Sequence, residues 1–73
     1  MDFGTSDIVL AATLKTLGHS LSRIEKSGNK GTFYFSDIPE TIISQFDMGN
    51  CSVEPIAFNQ HIKSLTTAVR RQA

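Results

Sequence analysis

The chain has no tryptophan, a single cysteine and two prolines, and its seven basic side chains are offset by seven acidic ones. Each scarcity excludes something. A lone Cys51 cannot form a disulfide within the chain, so the covalent staples of many small secreted domains are ruled out. A formal charge of zero removes the basic excess expected of a nucleic-acid coat or a membrane-surface protein. No apolar stretch is long enough to cross a bilayer. The run Ile8-Val9-Leu10-Ala11-Ala12 is short, and acidic Asp2 and Asp7 precede it where a secretory leader would carry basic residues. The expectation is a cytoplasmic protein with no membrane association, whose Cys51 stays a reduced thiol.

With 73 residues there is room for one domain, 1–73, and one core. A core this small supplies a margin of ~3–5 kcal/mol, which small proteins usually reinforce with disulfides, a metal or a second subunit. The charges are balanced but not evenly spread. From Asp37 to Glu54 all are acidic (Asp37, Glu40, Asp47, Glu54), and from Pro55 onward all are basic (Lys63, Arg70, Arg71). Ordinary helix-end placement and solvated faces account for most such segregation.

Residues 1–4 read as a loose or extended lead-in, with Phe3 available to pack. Thr5-Ser6-Asp7 signals a helix start, with a hydroxyl as N-cap and Asp7 in the first turn. Leu10, Leu14 and Leu17 follow at helical spacing, Ala11 leaves room for a close neighbour, and Gly18 suits a left-handed stop. His19 to Lys26 predicts a strand, although Leu21 and Ile24 have opposite parity. Either the strand begins after Leu21 or a bulge separates the two. Ser27-Gly28-Asn29-Lys30-Gly31 reads as a turn, and Thr32 to Ser36 as a strand with Phe33 and Phe35 on one face and Tyr34 on the other.

Asp37 is the expected cap of a second helix, with Glu40 completing a capping-box pair and Ile42, Ile43 and Phe46 facing inward. Gly49 or Asn50 ends it. Pro55 opens a third helix whose apolar stripe is Phe58, Ile62, Leu65 and Val69. The order α-β-β-α-α describes a small α+β domain, a β-hairpin packed against three helices.

Thr5-Ser6-Asp7, Leu10-Ala11-Ala12, Leu14, Gly18, Ile24-Glu25 and Phe33-Tyr34-Phe35-Ser36-Asp37 together resemble a family of small uncharacterised domains of bacteria, archaea and their tailed viruses. In that family a Thr-Ser-Asp helix start leads to an Ala-Ala pair, a hairpin ending in Phe-x-Phe and a closing helix, which Lys63 and Leu65 match. A stronger aromatic pair stands in the family where this chain has Phe46-Asp47-Met48. The resemblance implies a compact α+β fold and a viral or mobile-element origin, and it brings no catalytic residues.

The residues offer little chemistry. Cys51 and His61 could be imagined as nucleophile and base, but such a pair needs an orienting third group and oxyanion donors. Structural zinc needs four ligands, typically as two close pairs, and Cys51, His19 and His61 provide no such pair. Gly28-Asn29-Lys30-Gly31 lacks the spacing of a phosphate loop. No catalytic residue, metal or cofactor is therefore expected.

What remains is binding. Arg23, Lys26, Lys30 and Tyr34 on the hairpin, with Lys63, Arg70 and Arg71 on the third helix, are the candidate contacts for a partner. The leading expectation is a non-enzymatic protein-interaction module, and the alternative is a nucleic-acid accessory protein using the basic hairpin and the third helix, in which the hairpin contacts phosphates and Tyr34 stacks on a base. Thr32 to Ser36 has one unpaired edge in this reading, without lysine or proline to protect it. Two such edges pairing about a two-fold axis predict a homodimer.

Overall fold

The computed structural model describes residues 2–28, 30–49 and 51–71. Met1, Asn29 and Asn50, which belong to the expected lead-in, turn and helix stop, lie outside them. The elements run β1 (Asp2–Thr5), α1 (Ile8–Thr16), β2 (Leu21–Ser27), β3 (Lys30–Ser36), α2 (Glu40–Asp47) and α3 (Pro55–Arg71). The α+β class holds, and a hairpin and three helices follow in the expected order, but the hairpin's bounds shift: β2 begins at Leu21, not His19, and Ser27, Lys30 and Gly31, expected in the turn, pair within the strands. The lead-in is extended, but it is also a third strand of the sheet, which was not expected. Residues 2–5 form a strand that pairs antiparallel with β3, so the sheet order is β1-β3-β2.

This overturns the expectation of an open edge on Thr32 to Ser36. That strand is the centre of the sheet, flanked on both sides, and the route to a homodimer through its edge is closed. The exposed edges belong to β1 and β2. The strand escapes sequence reading because Asp2 and Gly4 are poor strand formers and only Phe3 supplies apolar patterning. Pairing with β3 decides it.

Two antiparallel ladders set the faces. Phe3 lies opposite Phe35, Gly4 opposite Tyr34 and Thr5 opposite Phe33. On the other side Leu21 pairs with Phe35, Arg23 with Tyr34, Ile24 with Phe33 and Ser27 with Lys30. The register shifts between Leu21 and Arg23, leaving Ser22 as the extra residue of a bulge. This settles the parity conflict, because Leu21 and Ile24 both pack against the core. Gly28 has φ +62°, the left-handed backbone that a two-residue hairpin connection demands.

α1 carries the chain from one edge of the sheet to the other, and α1 and α3 pack together over the same sheet face. The core between them is Leu10, Ala11, Ala12, Leu14, Phe33, Phe35 and Leu65, with Ile62 half-buried against it. Ala11 and Ala12 are both fully buried, so α1 is enclosed on more than one side instead of presenting a single stripe. Leu17, expected inside, is 42% exposed, while Thr13 is buried. Its hydroxyl donates to the Val9 carbonyl at 2.8 Å, which satisfies the polar group within its own helix.

The helix starts differ in detail from expectation. Asp7 itself is the N-cap of α1, and its Oδ1 accepts from the Val9 and Leu10 amides at 2.9 and 3.3 Å. Thr5 Oγ1 supports it by accepting from the Asp7 amide at 3.1 Å. Asp37 is not at the N-cap position of α2. It takes φ +57°, a conformation aspartate tolerates better than most residues, and Pro39 stands at the N-cap without a side-chain bond. Before α3, the Glu54 carboxylate accepts from the amides of Ile56 and Ala57 at 3.1 and 2.6 Å. α2 has no buried residue and is held through half-buried Ile42, Ile43 and Phe46.

Candidate functional site

Because the helices α1 and α3 share one face of the sheet, the opposite face is left to side chains of the other parity. Strand alternation brings Arg23 and Glu25 of β2, Lys30, Thr32, Tyr34 and Ser36 of β3, and Gly4 of β1 to that face. At its centre the Arg23 guanidinium lies over the Tyr34 ring, 4.1 Å from the centroid. Arg23 Nη2 also stands 3.9 Å from Glu25 Oε2, with both side chains about half exposed. A stacked guanidinium at an exposed site contributes ~0.5–1 kcal/mol, and an exposed ion pair about 0–1 kcal/mol. The group therefore adds little to stability. It does hold three long side chains in one arrangement.

The electrostatics of Tyr34 reflect these neighbours. A hydrogen bond to Glu25 is the main reason its phenol pKa lies above the ordinary 10.0; desolvation and the Glu25 charge act in the same direction, and Arg23 opposes them. Beside the group, the Ser22 and Ser36 hydroxyls meet at 2.7 Å, tying the bulge to the central strand. Gly4 completes the platform by leaving space beside the tyrosine ring.

The seven candidate contact residues separate into distinct places. Arg23, Tyr34 and Lys30 share the open face. Lys26 pairs with Gly31 and so projects on the helix side, half-buried. Lys63 and Arg71 line a shallow groove of about 480 Å³ on α3, together with Ser64, Thr67 and Ala68. Arg70 borders a smaller cleft at the end of the sheet. Lys26 and the third-helix cations Lys63, Arg70 and Arg71 therefore lie apart from the open face.

Of the open face, sequence reading missed Glu25, Thr32, Ser36 and Gly4. Glu25 was findable, since it has the parity of Arg23 on the same strand. Gly4 was not, because its strand had gone unrecognised.

Cys51 Sγ donates to the Ile42 carbonyl at 3.9 Å, linking the loop before α3 to α2. Among the described residues Cys51 and His61 make no hydrogen bond with each other. No group of three or more His, Cys, Asp or Glu among them could hold a metal ion. No helix among them is long and apolar enough to cross a membrane.

With this geometry in place, one comparison is informative. A family model described as a domain of unknown function, DUF5659, matches residues 1–69. The chain belongs to the DUF5659 family. No curated protein and no solved structure matches it. The matched residues 1–69 take in all three strands of the sheet.

Proposed function

We propose that this DUF5659 domain is a non-enzymatic protein-interaction module whose docking surface is the open face of the sheet around Tyr34. The observation that carries this reading is the pairing of Arg23 with both Tyr34 and Glu25 on a face no helix covers. Tyrosine and arginine are enriched where interfaces gain most of their energy. Here the two are already in contact without a partner, which favours the arrangement modestly and lowers part of the ordering cost of binding.

Charge separates this reading from the nucleic-acid alternative. Arg23 and Lys30 on the face are accompanied by Glu25, and the remaining basic residues lie on other surfaces. A backbone-tracking surface would concentrate positive charge along one groove. A mixed-charge face with one aromatic suits a protein surface instead. A second copy of the chain is one such partner, since a two-fold axis can set Arg23 of each copy near Glu25 of the other. A viral or mobile-element origin, as the family resemblance implies, would make a host complex the natural target, and a cytoplasmic location agrees with a reduced Cys51.

The test is capture of partners by immobilised wild-type domain and by the Arg23→Ala/Tyr34→Ala double variant, with the fold of each verified by circular dichroism. Loss of the captured protein in the folded variant supports the reading. Undiminished capture overturns it. Titration of a fluorescent oligonucleotide at low and moderate salt addresses the alternative, which requires salt-sensitive binding.

A further inference from the structure

On the helix side of the sheet, a cleft of about 230 Å³ opens where the start of α1, the hairpin end of β3 and the last turns of α3 meet. Ile8, Phe33 and Val69 give it apolar walls, and exposed Ser6 and Arg70 stand among its lining. At Gly31 a Cβ would come within 2.8 Å of Val69 Cγ2, so the absence of a side chain there lets α3 lie close to the strand backbone.

Arg70 carries the only charge among the lining residues, and its side chain makes no ion pair among the described residues. An apolar recess with one unneutralised guanidinium is complementary to a specific kind of molecule. Its apolar body would displace water from half-buried Ile8 and Val69, while its planar carboxylate would accept the two parallel donors of the arginine fork. The volume lies below the ~300 Å³ at which drug-sized pockets begin, which limits the body to a short branched chain or a single ring.

We propose that this cleft binds a small monocarboxylate with a compact apolar body, held by Arg70. Inorganic phosphate is a poor occupant, because it gains nothing from the apolar walls. The site lies on the opposite side of the sheet from Tyr34 and stands or falls independently of the interaction surface.

The experiment is an amide-resolved NMR titration of the full chain with 4-methylpentanoate, with its neutral amide and with inorganic phosphate. Saturable shifts clustered at Ile8, Gly31, Phe33, Thr66 and Val69 are expected for the carboxylate. The amide and phosphate should bind at least about tenfold more weakly, the scale of a lost charge-assisted contact. Arg70→Gln is a surface change that leaves the fold intact, and it should weaken carboxylate binding by a similar factor. Absent or scattered shifts, equal binding of the amide, or an unaffected Arg70→Gln variant would overturn the proposal.

Discussion

Gly4 stands opposite Tyr34 in the β1–β3 ladder, and a Cβ on Gly4 would come within 2.7 Å of Tyr34 Cε1. The smallest residue of β1 thus accommodates the largest residue of the open face. Gly4→Ala should push the tyrosine ring aside and take it off Arg23. The expected loss is about 0.5–1 kcal/mol, the scale of an exposed guanidinium–ring contact. Urea denaturation measures it, and the same variant should weaken partner capture.

Tyr34 is the only tyrosine in the chain, so its ionisation can be followed by ultraviolet absorbance without interference. Its phenol should titrate above 10.0 in the folded protein, chiefly because of the hydrogen bond to Glu25. Since the folded pKa is raised, this interaction supports the fold below the unfolded pKa, and its contribution is lost as pH rises through the folded value. Glu25→Gln should bring the titration back down. A phenol unmoved by that substitution would assign the shift to something other than Glu25.

Phe35 is fully buried at the centre of the sheet. Phe35→Ala should cost ~3–5 kcal/mol, which equals the whole margin of a core this size. The variant should show the narrow amide dispersion of an unfolded chain. A cooperative transition with an unchanged midpoint would remove Phe35 from the core.

Gly31 offers a cleaner packing test. Gly31→Ala places a methyl group against Val69, and overpacking of this kind costs ~1–3 kcal/mol. Val69→Ala in the same chain should relieve part of the strain. The two changes should be non-additive in a double-mutant cycle, as contacting sites are. Simple additivity would show that α3 does not lie against β3 at this point.

The elements that sequence reasoning located share a physical property: their signal is local. Phe33 and Phe35 alternate with Tyr34, and Phe58, Ile62, Leu65 and Val69 repeat at helical spacing, so periodicity alone places their faces. The elements it missed depend on distant partners. Residues 2–5 become a strand only because β3 offers an edge, and Leu17 lies outside because α1 is enclosed around Ala11 and Ala12 by the sheet and α3. Asp37 has the composition of a cap, yet the exit from β3 puts it at positive φ. The candidate site divides in the same way. Arg23 and Tyr34 were visible as a hairpin pair, whereas the separation of Lys26, Arg70 and Arg71 from them depends on sheet register and helix placement.

The route to self-association through β3 is closed, but the open face remains available to a second copy. Sedimentation across micromolar concentrations should give a dimer mass for the unmodified chain and a monomer mass for Tyr34→Lys if the partner is another copy. A monomer mass for both assigns the face to a different protein.

The most direct test of the central claim is site-specific photocrosslinking, with a benzoylphenylalanine in place of Tyr34 on the open face or of Thr67 on the outer surface of α3. A discrete protein adduct formed from position 34 and not from position 67 is the expected result. An adduct formed only from position 67, or a nucleic acid captured from position 34, would contradict the assignment of this face to protein binding.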